Sequence, residues 1–123
     1  MNLFPAALRF APRVCELALD CLDEDGGDVL RWDSVKRFFA VMDRFPEIRD
    51  PVIVVTVTGN LRAEWHESWH NRFAAEFEPA GRIVWVVFDK SSSASGACDE
   101  AEFMSTVLLL GCQTLVCIPA GSQ

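Results

Sequence analysis

The chain has no tyrosine, only two histidines, no Cys-x-x-Cys pair and no glycine-rich phosphate loop. Each absence removes a class of chemistry. Gly26-Gly27, Gly59 and Gly81 each punctuate a turn rather than opening a nucleotide-binding helix. Five cysteines (Cys15, Cys21, Cys98, Cys112, Cys117) make an odd count without metal-ligand spacing, so they are expected to be reduced and packed as small hydrophobes. No thiol enzyme is indicated, since neither a flanking signature nor local positive charge accompanies any of them. The longest apolar stretches, Val107 to Gly111 and Leu115 to Ile118, fall far short of the ~20 residues of a membrane span. The first charge is Arg9, and Pro5 and Pro12 interrupt the apolar start, so no leader is expected and the location expected is the cytoplasm. Positive charge is also scarce. Eleven basic against 18 acidic residues give a net charge of −7. That argues against direct nucleic-acid binding, which needs a basic stripe to release counterions.

What is present suffices for a core. The 123 residues are half apolar, with nine Phe and four Trp, and a chain of this size is expected to form one domain over 1–123. Phe4, Leu8, Phe10, Ala11, Val14, Leu17, Ala18, Cys21 and Leu22 recur at helical spacing against Arg9, Arg13, Glu16 and Asp20. Because Pro12 fits badly inside a helix, the first helix is expected over about 12–24. Asp20, Asp23, Glu24, Asp25 and Asp28 then form the densest acidic cluster, closed by Gly26-Gly27. A calcium loop fails the register: with Gly26 in the glycine position, Cys21 and Trp32 would be the first and last ligands. The cluster reads instead as a solvated turn or as a patch for a basic partner.

A second helix is expected over about 30–45, capped by Asp28 or Asp33 and ended by Pro46, burying Val35, Phe38, Phe39, Met42 and Phe45. Val52 to Thr58 reads as a strand, and Gly59-Asn60 as a two-residue turn. Ser91 to Gly96 reads as a polar linker, and 98–110 as a helix with Asp99 or Ser95 near its cap, burying Phe103, Val107 and Leu110 and closed by Gly111. The run 114–118 reads as a short last strand.

Function turns on Leu61 to Glu78, which contains His66-Glu67-Ser68-Trp69-His70, a match to H-E-x-x-H. On a helix, His66 and His70 would share one face and hold zinc while Glu67 polarised its water. Glu100, Glu102 or Cys98 would have to supply the third ligand. Leu61, Trp65, Trp69, Phe73 and Phe77, at intervals of four, fit that helix. Alternation of Leu61, Ala63 and Trp65 against Arg62, Glu64 and His66, and of Phe73, Ala75 and Phe77 against Arg72 and Glu76, fits two strands equally well.

Three runs bear on the choice: Thr58-Gly59-Asn60-Leu61-Arg62-Ala63-Glu64-Trp65, Phe77-Glu78-Pro79-Ala80-Gly81-Arg82 and Trp85-Val86-Val87-Phe88. Together they resemble a group of short, uncharacterised bacterial proteins. There a T-x-x-G-x-x-x-x-E-W pattern precedes an acidic strand, a P-D-G turn and a final apolar strand. Ala80 stands here where that group has Asp. The resemblance implies an antiparallel meander and transfers no catalytic residue.

The expected fold is therefore α+β: a four-stranded antiparallel meander over about 52–89, packed by two N-terminal helices and one C-terminal helix. The expected function is a non-enzymatic, acidic protein-binding module of the antitoxin or immunity-protein kind. A phage- or plasmid-borne inhibitor of a host defence complex, of the anti-CRISPR type, is a close variant. A zinc metallohydrolase using His66, Glu67 and His70 is the alternative. No cofactor or membrane is expected. The expected partner is a protein with a basic surface, and a homodimer is left open. Asp20, Asp23, Glu24, Asp25, Asp28 and Trp69 are the residues expected to meet the partner, with Trp69 exposed in a loop between strands.

Overall fold

The computed structural model describes residues 5–23, 30–68 and 70–118. Helix α1 spans Pro5–Asp23 and α2 spans Trp32–Arg44. Five strands follow: β1 (Val52–Val55), β2 (Leu61–Ser68), β3 (Asn71–Phe77), β4 (Ile83–Asp89) and β5 (Ser92–Cys98). Two short helices close the chain, α3 (Phe103–Leu109) and α4 (Gln113–Val116). The fold is α+β, and each strand pairs antiparallel with the next in the order β1-β2-β3-β4-β5.

The helix α1 starts earlier than Pro12 predicts. Pro5 takes its first position, where a missing N–H costs nothing. Pro12 lies inside on the solvent side, so the carbonyl that its ring deprives of a partner, that of the exposed Leu8, can be hydrated. Phe10, Val14 and Leu17 form the buried line, whereas Leu8, expected on the apolar face, is exposed.

Arg31 precedes α2 without a side-chain cap, so Asp33 is a first-turn acid rather than the cap. Val35, Phe38, Phe39, Val41 and Met42 are buried. Phe38 stacks edge-on against Phe10 (5.1 Å) on one side and Phe77 (5.4 Å) on the other, joining α1, α2 and the sheet. Ser34 is fully buried at the same joint. Its hydroxyl donates to the Phe77 carbonyl and accepts the Leu61 N–H (2.8 Å), tying the base of the β2–β3 hairpin to α2.

The strand β1 is shorter than the expected 52–58. Thr56 N donates to Asn60 O (2.9 Å) across the loop Val57-Thr58-Gly59, and Gly59 adopts φ +86°. This is a three-residue loop ending in a left-handed residue, not the two-residue turn that Gly59-Asn60 suggests. The loop Pro79-Ala80-Gly81 repeats the device: Glu78 N donates to Arg82 O (2.9 Å) and Gly81 has φ +110°.

The segment 92–98 is a fifth strand, not a linker, and the meander has one more strand than expected. Small polar residues carry no hydrophobic alternation, so nothing in them announces a strand. What holds them is the pairing with β4, together with Gly96, across which the Trp85 ring lies. A β-carbon built at Gly96 would sit 2.6 Å from Trp85 Cζ2. The expected helix at 98–110 consequently starts later, at Phe103. Ahead of it, Glu102 N donates to Asp99 Oδ1 (2.9 Å) and Asp99 N to Glu102 Oε1 (3.2 Å), a reciprocal capping pair. Phe103 and Val107 are buried as expected, and Gly111 (φ +72°) ends the segment. The run 114–118 is not a strand either. Most of it lies in α4, and only Cys117 bridges, to Ile48.

The four described helices cover one face of the sheet. Leu61, Ala63, Trp65, Phe73, Ala75, Phe77, Ile83 and Val87 point into that core, and Trp65, Phe73 and Phe103 pack ring to ring at 5.9–6.5 Å. Trp65 Nε1 donates to the Arg49 carbonyl (2.9 Å), so its one polar atom is satisfied. No described helix is long and apolar enough to cross a membrane.

Candidate functional site

The H-E-x-x-H pentapeptide lies on a hairpin, not a helix. His66 belongs to β2, paired with Arg72 of β3, and a bulge follows between His66 and Ser68. Its imidazole is 41% exposed, with Nε2 3.7 Å from Glu64 Oε1. Glu67 Oε2 accepts from Asn71 Nδ2 (2.9 Å), which occupies the carboxylate within the hairpin. His70 N donates to Ser68 Oγ (3.3 Å), and its carbonyl accepts from Lys90 N (2.7 Å). The helical alignment that aims two imidazoles at one zinc is therefore missing, and a guanidinium stands opposite His66 in the ladder. Glu100, Glu102 and Cys98 lie near the Ile83–Cys98 end of the sheet, the opposite end from the His66–His70 turn. Glu100 pairs with Arg44 (3.6 Å) and Glu102 is engaged with Asp99. Among the described residues, no group of three or more His, Cys, Asp or Glu side chains comes together for a metal.

Three of the cysteine thiols lie in surroundings that disfavour the thiolate. Burial pushes Cys98 up, and nearby Glu102 and Asp99 reinforce it against a hydrogen bond from Thr106. Burial likewise raises Cys112 and Cys117. These are the opposite of the electropositive surroundings that activate a thiolate.

Of the residues expected to meet a partner, Asp20 is exposed on the last turns of α1 and Asp23 is its final residue. Glu24, Asp25, Asp28 and Trp69 lie outside the described residues. Trp65 is buried and Trp85 is half-buried over Gly96. Trp32 is the exposed tryptophan among those described, at 60%, with its ring edge-on to Phe39 (6.3 Å).

One surface that residue spacing did not single out is the outer face of the sheet. The ladder arranges it in three rows. Val54, Arg62, Glu76, Val84 and Ala97 form the first, and Val52, Glu64, Ala74, Val86 and Ser95 the second. His66, Arg72, Phe88 and Ser93 form the third. The two central strands carry the charges. Arg62 Nε lies 3.0 Å from Glu64 Oε2, an ion pair not aligned as a hydrogen bond. Glu76 Oε2 accepts from Asn60 Nδ2 (2.8 Å). The Arg72 guanidinium lies 4.3 Å above the Phe88 ring, the geometry of a cation–π contact. Beside this polar centre, Val84, Val86 and Phe88 form an apolar ridge along β4. No described helix packs on this face, and its side chains do not join the core cluster. In the sequence, the run Ile83 to Phe88 is apolar at both phases of the alternation, which hides the face.

A groove of about 600 Å3 also opens at the Cys98 end, lined by Arg37, Arg44, Arg82, Asp99 and Glu100. Its cations are engaged within the chain. Arg82 pairs with Glu78 (2.7 Å), Arg44 with Glu100, and Arg37 Nε donates to the Pro79 carbonyl (3.3 Å). No family model, curated protein or solved structure matches the chain.

Proposed function

We propose that this chain is a non-enzymatic protein-binding module that works by surface contact, as antitoxins and immunity proteins do. The observation that carries the reading is the outer sheet face, an array with a charge-balanced centre and an apolar ridge, left uncovered by every described helix. Such a surface suits a broad protein partner better than a small substrate, which needs a concave, enclosing site. The partner is a protein with a basic surface. The chain's net charge of −7 favours encounter with such a partner. In the sequence, Asp20, Asp23, Glu24, Asp25 and Asp28 add a cluster of carboxylates to that charge. A phage- or plasmid-borne inhibitor of a host defence complex uses the same chemistry, with carboxylates taking the place of nucleic acid on a basic surface.

The test is capture of a partner from host extract by the immobilised protein, compared among three forms. Val86→Lys, on the ridge, is expected to abolish capture while leaving the melting temperature unchanged. Replacing Asp23, Glu24 and Asp25 together by Lys is expected to slow association and remove its salt dependence. Capture that survives both changes overturns the reading. So does a stoichiometric zinc ion that is lost in His66→Ala.

A further inference from the structure

The two edges of the sheet are finished differently. At β1 the hydrogen-bonded pairs of the ladder are fixed by Thr56 N donating to Asn60 O, which places Val54–Arg62 and Val52–Glu64 in the same set. Ile53 and Val55 therefore turn their backbone groups outward. That edge is guarded. It is four residues long, Arg13 Nη2 of α1 donates to the Ile53 carbonyl (3.3 Å), and Arg9 pairs with Asp50 (3.1 Å) beside it.

At β5 the same parity runs through Glu78 N to Arg82 O and Lys90 N to His70 O. The even-numbered residues of β4 thus bond to β3, and its odd-numbered residues to β5. Ser92, Ala94, Gly96 and Cys98 answer them. Ser93, Ser95 and Ala97 aim their N–H and C=O groups at the open edge, where none of the described residues bonds to them. Natural sheets protect such edges with charge, proline, bulges or short length. This strand has seven residues, no charge, no proline and an unbroken register.

We propose that this edge pairs with a second copy of the chain. The two β5 strands run antiparallel about a twofold axis at Ser95 and join two five-stranded sheets into one. This proposal rests on backbone geometry and is independent of the binding role assigned to the outer face. Self-pairing is argued from the charges flanking the strand. With Ser95 opposite Ser95, Ser93 faces the second copy's Ala97, and each pair exchanges two backbone hydrogen bonds. In that register Lys90 falls alongside the second copy's Glu100, and the twofold repeats the contact. Glu100 is open enough to serve, with its side chain 37% exposed. Sliding the strands two residues toward the β4–β5 turn would instead set Asp89 against Asp99. A net charge of −7 repels a second copy over most of the surface, and the uncharged edge with opposite charges at its ends is where that repulsion is least.

Sedimentation velocity across the micromolar to millimolar range tests it. The expected result is a concentration-dependent species of twice the 13.7 kDa chain mass. Ser95→Pro removes an N–H that points away from β4 and so leaves the β4–β5 ladder whole. Ser95→Lys sets two ammonium groups side by side at the axis. Both variants are expected to sediment as monomers with the circular dichroism and melting temperature of the parent. Lys90→Glu is expected to weaken the dimer about threefold to tenfold, and adding Glu100→Lys to restore it. A parent that stays monomeric throughout, or a dimer that survives both Ser95 variants, overturns the proposal. Failure of the charge exchange to restore association overturns the Ser95-centred register.

Discussion

Alternate residues of the same strands build two surfaces with opposite chemistry. On the inner side of β2 and β3, Leu61, Ala63, Trp65, Phe73, Ala75 and Phe77 are almost wholly removed from water, and helices α1 to α4 cover them. On the outer side, one residue away at every step, Arg62, Glu64, His66, Arg72 and Glu76 alternate charge in an open array. The buried apolar contacts are concentrated on one side and the charged groups on the other. Substitutions should therefore differ in their cost by face rather than by strand.

The largest expected effect is on the inner side. Phe73→Ala removes a ring packed on Trp65 and Phe103 and should cost about 3–5 kcal/mol in denaturant unfolding, whereas Phe88→Ala on the outer side should cost about 1 kcal/mol. Equal losses at Phe73 and Phe88 would dissolve the distinction. Next come two positions where the helical layer and the edge strand are fastened. Ser34→Ala leaves the Leu61 N–H and Phe77 C=O buried without partners, for about 1–3 kcal/mol. Gly96→Ala drives a methyl into the Trp85 ring, with an expected loss of about 1–3 kcal/mol and a changed tryptophan fluorescence. Val86→Lys, in the middle of the outer face, should stay within about 0.5 kcal/mol of the parent. The smallest effect concerns pH. The hydrogen bond from Arg82, opposed by burial and aided by the charge of Arg82, holds Glu78 below its usual 4.5. A carboxyl depressed on folding stabilises the protein above pH 4.5, and this is lost as pH falls through its lowered value. Glu78→Gln should therefore lower stability slightly above pH 4.5, leave it unchanged in acid and so shallow the acid limb of the profile.

How far the sequence discloses this arrangement differs by region. The two halves of 61–78 carry a strand alternation, with Ala63 and Ala75 in phase with large apolar neighbours and Arg62, Glu64 and Arg72 at the opposite phase, but Leu61, Trp65, Phe73 and Phe77 fit a helix equally, so the pattern alone does not decide. The Phe38 and Phe39 helix is legible at the helical period. Segment 92–98 is not, because Ser, Ala and Gly give no phase and its strand character is imposed by β4 and the Trp85 ring. Pro12 misleads because its cost depends on whether the orphaned carbonyl meets water, a tertiary fact. The run 114–118 misleads because so short an apolar run, Leu115 to Ile118, fits either period. For the candidate site, the H-E-x-x-H residues are visible as letters, but their geometry is decided by the hairpin that contains them. The outer face needs the cross-strand register before Arg62, Arg72 and Phe88 become neighbours at all.

Ser34 binds one end of the β2–β3 hairpin to α2, while the other end carries the bulge after His66 and the turn beyond it. The hairpin is thus clamped like a cantilever, with its load at the base. Substitutions at the described tip residues Glu67, Ser68 and His70 should leave that clamp intact. The tip, rather than the clamped base, is therefore the place to install an epitope or a fluorophore.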